Sequence, residues 1–172
     1  MCARAERAAA ALPSQLLLGR LRSYAAGVVA WTLDWEAALA LAAEADRLSR
    51  TAGDDPQASI GIANAMLVRG GVASETGRFA DVEKELGGTL ELSHRTRYGV
   101  GIANAEMYLC RFRRRLGNFA EAGPACDRAV AAARDAGVPL QIAGALWNRG
   151  ALEGDRGDRT LEIGRASCRE RV

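Results

Sequence analysis

Gly101-Ile-Ala-Asn-Ala-Glu-Met-Tyr-Leu-Cys-Arg-Phe-Arg-Arg-Arg-Leu-Gly-Asn-Phe-Ala120 has a copy forty residues before it and another forty residues after it. The earlier copy opens Gly61-Ile-Ala-Asn-Ala and closes Gly77-Arg-Phe-Ala; the later opens Gln141-Ile-Ala-Gly-Ala and closes Gly157-Asp-Arg-Thr. Ile62, Ile102 and Ile142 are therefore equivalent, as are Gly77, Gly117 and Gly157. A fixed period of this size points to an array of small structural units. Within the central copy Ile102, Ala105, Leu109, Phe112 and Leu116 recur at steps of three and four, which lines one face of an α-helix. Asn104, Arg111, Arg114 and Arg115 lie off that face. Gly117-Asn118 ends the helix, because glycine accepts the left-handed backbone of a helix stop. A second helix starts at Phe119, with Ala122, Cys126, Ala129, Val130 and Ala133 as its apolar positions. Two amphipathic helices joined by so short a break predict a hairpin that cannot bury its apolar faces alone and must be stacked in copies.

The rest of the chain extends this pattern. Leu16 to Leu33 and Trp35 to Thr51 form a divergent hairpin, with Asp34 at its turn and Trp35 in the place that Phe79 and Phe119 take later. Ala52-Gly53-Asp54-Asp55-Pro56, Tyr98-Gly99 and Ala136-Gly137-Val138-Pro139 punctuate the chain between hairpins. The fold expected is all-α, with three complete hairpins and the start of a fourth. Gly87-Gly88 falls inside the second helix of the middle hairpin, where a kink or a close backbone approach is expected. No Gly-x-x-x-x-Gly-Lys-Ser/Thr string is present to make it a phosphate loop.

Composition narrows the function. The 172 residues are 49% hydrophobic and only 5% aromatic, which suits one soluble domain built on close helix-to-helix packing. Basic and acidic residues nearly balance at 23 and 21, so no overall field demands nucleic acid or an anionic membrane. Met1 to Pro13 reads as a frayed or cut helix. Arg20 and Arg22 interrupt the Leu16-Leu17-Leu18 run too soon for a secretory signal, and no run approaches a membrane span, so a cytoplasmic location is expected.

Catalytic and metal chemistry find little to work with. His94 is the only histidine, and a solvated surface role is expected for it. No Cys-x-x-Cys pair occurs. Cys110 and Cys126 sit either side of the Gly117 turn and are expected to face each other as packed thiols, as a reducing compartment favours. Gly154-Asp-Arg-Gly-Asp158 lacks the acidic spacing of a calcium loop and reads as the turn inside the last hairpin. No enzyme activity, cofactor or metal is expected.

A small residue at Cys110, then Gly117, Phe119, Ala122 and Ala129, resembles the tetratricopeptide pattern. Gly77 and Phe79 repeat it one unit earlier, where Val82 and Thr89 depart from alanine; in the last copy Arg159 replaces the aromatic. The period exceeds the usual tetratricopeptide length because both helices are about a turn longer. Long-helix units of this kind resemble the repeat region of large bacterial transcriptional regulators that join an ATP-binding module, a helical solenoid and a LuxR-type DNA-binding end. That resemblance covers about residues 16–162 and implies a right-handed solenoid of antiparallel hairpins whose first helices line a concave groove. It would place Asn64, Leu67, Asn104, Met107, Arg111, Arg114 and Trp147 along the groove, to bind a protein, a peptide or a small acidic effector. The rival expectation is a nucleic-acid binder using Arg111, Arg113, Arg114 and Arg115. A phosphate-tracking surface should repeat its basic residues, yet the positions equivalent to Arg111 are Gly71 and Ala151. Residues 163–172 fit no repeat position and resemble a translated sequencing adapter, so the chain is expected to be a fragment, cut soon after the fourth hairpin begins.

Overall fold

Glycine backbones in the left-handed region mark the breaks between helices. In the computed structural model, Gly53, Gly77, Gly117, Gly137 and Gly157 have φ of 63, 77, 72, 67 and 81°. The structure describes residues 15–53 and 55–157, so the expectations for residues 1–14 and for 158–172, adapter-like tail included, lie outside it. The described residues are all-α, with seven helices and no strand: α1 (Gln15–Ala30), α2 (Trp35–Arg50), α3 (Pro56–Glu75), α4 (Phe79–Arg95), α5 (Gly99–Arg115), α6 (Phe119–Ala136) and α7 (Pro139–Asp155). None is long and apolar enough to cross a membrane.

Side chains at the starts of α2, α3 and α6 explain where those helices begin. Asp34 accepts a hydrogen bond from the Ala37 amide, Asp55 from Gln57 with Pro56 in the first turn, and Asn118 from Glu121. At the Gly77 and Gly117 turns the chain bonds back identically, Arg78 N to Ala73 O and Asn118 N to Arg113 O, both at 2.9 Å. The first turn is made differently. α1 stops at Ala30 and not at Leu33, because Trp31, Thr32 and Leu33 bond three residues back and the Thr32 hydroxyl donates to Val29 O. Leu33 then takes φ 64° while 68% exposed, so it carries left-handed strain with little packing to offset it. Leu33→Gly should raise the unfolding free energy by about 1 kcal/mol, read from urea denaturation midpoints. An unchanged or lower midpoint would mean that the strain is absent.

The chain forms two compact units, one ending at Gly101 and the other beginning at Ile102. In the first, α1 packs on α2, α2 on α3, α3 on α4, and α1 also on α3. One cluster of its core is alanine: Ala26, Ala42, Ala45 and Ala65 are fully buried, with Leu41 and Val68 against them, while Val72, Val82 and Leu86 are buried between α3 and α4. The second unit has the same character, with Ala103, Ala129, Ala133 and Ala145 buried beside Met107, Val130 and Ile142. Alanine lets helix axes approach closely, so the contact surface is backbone-rich and has little room for larger side chains.

Positions forty residues apart make corresponding contacts. In the first unit Leu86 of α4 sits on Gly70 of α3, where an added Cβ would lie 2.7 Å from Leu86 Cδ2, and Met66 of α3 covers Gly88 of α4. Forty residues on, in the second unit, Cys110 of α5 meets Cys126 of α6, and Glu106 of α5 meets Arg128 of α6. Gly87-Gly88 therefore serves a close approach at Gly88 alone; α4 runs through both glycines unbroken, and Gly87 faces open space.

Two expectations need correction, and one buried charge is new. Cys110 and Cys126 are not separate packed thiols: with Cα atoms 5.0 Å apart and both side chains fully buried, they are joined as a disulfide. Leu116 does not complete the apolar stripe of α5, since it lies past Arg115, where the helix ends, and is 51% exposed. Glu106, which the apolar periodicity leaves unmarked, is buried, its charge met by Arg128 through bonds of 2.7 and 3.0 Å.

Candidate functional site

Asn104, Met107, Arg111 and Arg114 follow one another at steps of three and four along α5, so they share a side of that helix. All four are half-buried. Met107 lies against the alanine cluster and reaches Gly144 of α7, where an added Cβ would be 3.2 Å from its sulfur. The Arg111 guanidinium stacks over the Tyr108 ring at 5.2 Å, a cation–π contact that fixes its plane. Arg114 Nε stands 3.4 Å from Asp155 Oδ2 of α7, an ionic contact without hydrogen-bond geometry, so that its buried N–H still lacks an acceptor. Trp147 of α7 is 57% exposed, together with Leu140. The second unit thus brings the α5 stripe and α7 together, with Arg114 partly neutralised by Asp155.

The basic run of α5 is divided among neighbours. Arg113 pairs with Glu121 of α6 at 3.4 Å while Arg114 turns to α7. Arg149 of α7 pairs with Asp127 and Glu153, and Glu106 takes Arg128. Among the described residues no group of three or more His, Cys, Asp or Glu is placed to hold a metal ion, and His94 is exposed in the last turn of α4.

In the first unit Asn64 is only 8% exposed, and Leu67 is half-buried on the same helix. Around Asn64 lies a polar cluster that the repeat pattern does not single out. Arg20 Nη1 of α1 donates to Gln57 Oε1 of α3 at 2.6 Å, and Arg20 Nη2 reaches Tyr24 Oη at 3.5 Å. The Tyr98 hydroxyl, from the turn before α5, lies beside Tyr24, Asn64 and Arg20. Burial pushes the ionisation of Tyr98 above tyrosine's ordinary range and the Tyr24 neighbour adds to this, while Asn64 and Arg20 pull the other way. Tyr98 is therefore a neutral hydroxyl at neutral pH. Arg20 Nε is buried without a hydrogen-bond acceptor, and Asn64 Nδ2 is buried with only the Tyr98 hydroxyl beside it. A buried donor costs about 1–3 kcal/mol while its partner is missing. The sequence signal for this cluster was the i, i+4 pair Arg20 and Tyr24, which reads as an ordinary half-exposed helix face until α3 and Tyr98 are placed beside it.

No protein-family model, curated protein or solved structure matches the chain.

Proposed function

We propose that this chain is a non-catalytic binding scaffold, a right-handed solenoid of antiparallel, tetratricopeptide-like hairpins with a period of about 40 residues. The observation that carries this reading is the pair of corresponding contacts: Leu86 on Gly70 and Met66 on Gly88 in one unit, Cys126 with Cys110 and Arg128 with Glu106 in the other. Chemically unlike residues occupy matching slots, which is what a repeated backbone geometry requires and chance similarity does not. On this reading the first helices of the hairpins present a groove, and half-buried donors on it accept an acidic peptide, protein segment or small carboxylic effector. The parent would be a larger bacterial transcriptional regulator of the LuxR-type class, working in the cytoplasm, with this segment as its sensing or docking part. Division of the α5 arginines between Glu121 and Asp155 disfavours a nucleic-acid surface, because two of its charges are already matched.

Fluorescence anisotropy with a labelled hexaglutamate peptide tests the groove. Arg111→Ala/Arg114→Ala should weaken binding at least about tenfold, since charge-assisted bonds contribute about 1.5–3 kcal/mol each, with helix content unchanged. Asp155→Asn should strengthen it about threefold by releasing Arg114 from a competing carboxylate. Binding by the double variant equal to that of the unaltered chain would reduce the α5 stripe to a solvated face.

A further inference from the structure

The cluster around Tyr98 is built from three segments far apart in the chain: Arg20 and Tyr24 on α1, Gln57 and Asn64 on α3, and Tyr98 before α5. Its inventory of hydrogen-bonding groups is lopsided. Arg20 brings five N–H donors, Asn64 two, and Tyr24 and Tyr98 one hydroxyl each, against which Gln57 Oε1 and Tyr24 Oη each accept from one Arg20 nitrogen and the Tyr98 oxygen from Asn64. Arg20 Nε is left buried without an acceptor, and Asn64 Nδ2 has only the neighbouring Tyr98 hydroxyl to meet. The acids of the neighbouring helices are engaged elsewhere: Glu44 with Arg22, Asp46 with Arg50 and Arg69, and Glu85 with Arg69. Gly61 lets the Ser49 side chain pack against α3 where a Cβ would otherwise lie, with the Arg20 stem 4.0 Å from the same point.

We propose that Arg20, Asn64 and Tyr98 form a carboxylate-binding site in the first unit, with Tyr24 as its cover. A carboxylate supplies acceptors only, which is what the unmatched donors need. One guanidinium among neutral donors balances one negative charge, so a monoanion fits better than a phosphate dianion. Tyr24 is 51% exposed and meets the cluster through its hydroxyl alone, at Arg20 Nη2 (3.5 Å) and Tyr98, so its ring can swing away and let Arg20 turn its Nε edge and one terminal nitrogen to the ligand. Asn64 Nδ2 and the Tyr98 hydroxyl then meet the second carboxylate oxygen. The carboxylate comes either from a free small acid or from the end or side chain of a peptide. This inference rests on the reading of the chain as a binding scaffold, but on residues separate from the α5 stripe.

Two-dimensional NMR of the 172-residue chain tests it, following the Asn64 side-chain amide and the Tyr98 ring during titration with acetate, with Gly-Gly-Phe, with Gly-Gly-Phe amide and with inorganic phosphate. Acetate and the free-acid tripeptide should shift both signals saturably, while the amide and phosphate should not. Tripeptide binding about tenfold tighter than acetate would identify a peptide source, and equal binding a free acid. Arg20→Met, at a half-buried position that leaves the alanine core intact, should weaken binding at least about tenfold, and Tyr98→Phe about threefold, with thermal midpoints close to that of the unaltered chain. Arg111→Ala/Arg114→Ala should leave this titration unchanged. Loss of hexaglutamate binding in that double variant, with no carboxylate shift at Asn64, would overturn this site and leave the groove standing; the opposite pattern would retain this site and remove the α5 stripe. Equal shifts from phosphate, or an Arg20→Met variant that binds acetate normally, would also overturn it.

Discussion

Replacing Cys110 and Cys126 together with alanine should lower the unfolding free energy by about 3 kcal/mol, the loop-closure entropy of a cross-link spanning some fifteen residues. The two cysteines are 16 positions apart and join α5 to α6 across the Gly117 turn. In a chain of this size that loss corresponds to a fall of about 6–12 °C in the thermal midpoint. Thiol reductant should bring the unaltered protein down to the midpoint of the double variant and leave the variant where it is. A midpoint indifferent to reductant would mean that the sulfurs remain separate thiols in solution. The effect bears on location as well as stability, because a reducing cytoplasm would hold the second unit near its weaker state.

Leu86→Ala should cost about 3–4 kcal/mol, the usual loss when a fully buried leucine is truncated in a core that cannot collapse. Leu86 is entirely buried and lies over Gly70, where backbone and side chain already meet. The companion change separates packing from helix propensity. Gly70→Ala alone should destabilise by about 1 kcal/mol, because overlap with Leu86 outweighs the gain of alanine over glycine in a helix. With Leu86 already alanine the overlap is gone, and Gly70→Ala should become stabilising by about 1 kcal/mol. Urea denaturation of the four proteins gives the cycle. If Gly70→Ala has the same effect in both backgrounds, Leu86 does not rest on Gly70.

Much of the helical layout was legible because it depends on backbone rules. Gly77 and Gly117 end helices since each must turn left-handed, and Asp34, Asp55 and Asn118 start them since their oxygens reach the free amides of a first turn. The α5 face was legible from its steps of three and four up to Phe112, and misread at Leu116, where the helix had already ended. What sequence alone could not give depends on how helices cross. A buried cysteine serves equally as a packed thiol or as half of a bond, and only the 5.0 Å approach of the two Cα atoms decides. The burial of Glu106 likewise depends on Arg128, which meets it from another helix. Asn64, expected along a groove from its place in the repeat, is buried beside Arg20 and Tyr98, which the repeat pattern does not single out.

The bond between Cys110 and Cys126 encloses the whole Gly117 turn, including the three consecutive arginines 113 to 115. Trypsin cutting after any of them would open the peptide chain without parting its pieces, which would travel as one species until a thiol is added. Arg78, exposed in the corresponding turn of the first unit, has no such ring around it. A single cut there leaves α3 and α4 joined by noncovalent contacts alone, the Arg69–Glu85 pair among them, and denaturant is enough to release them.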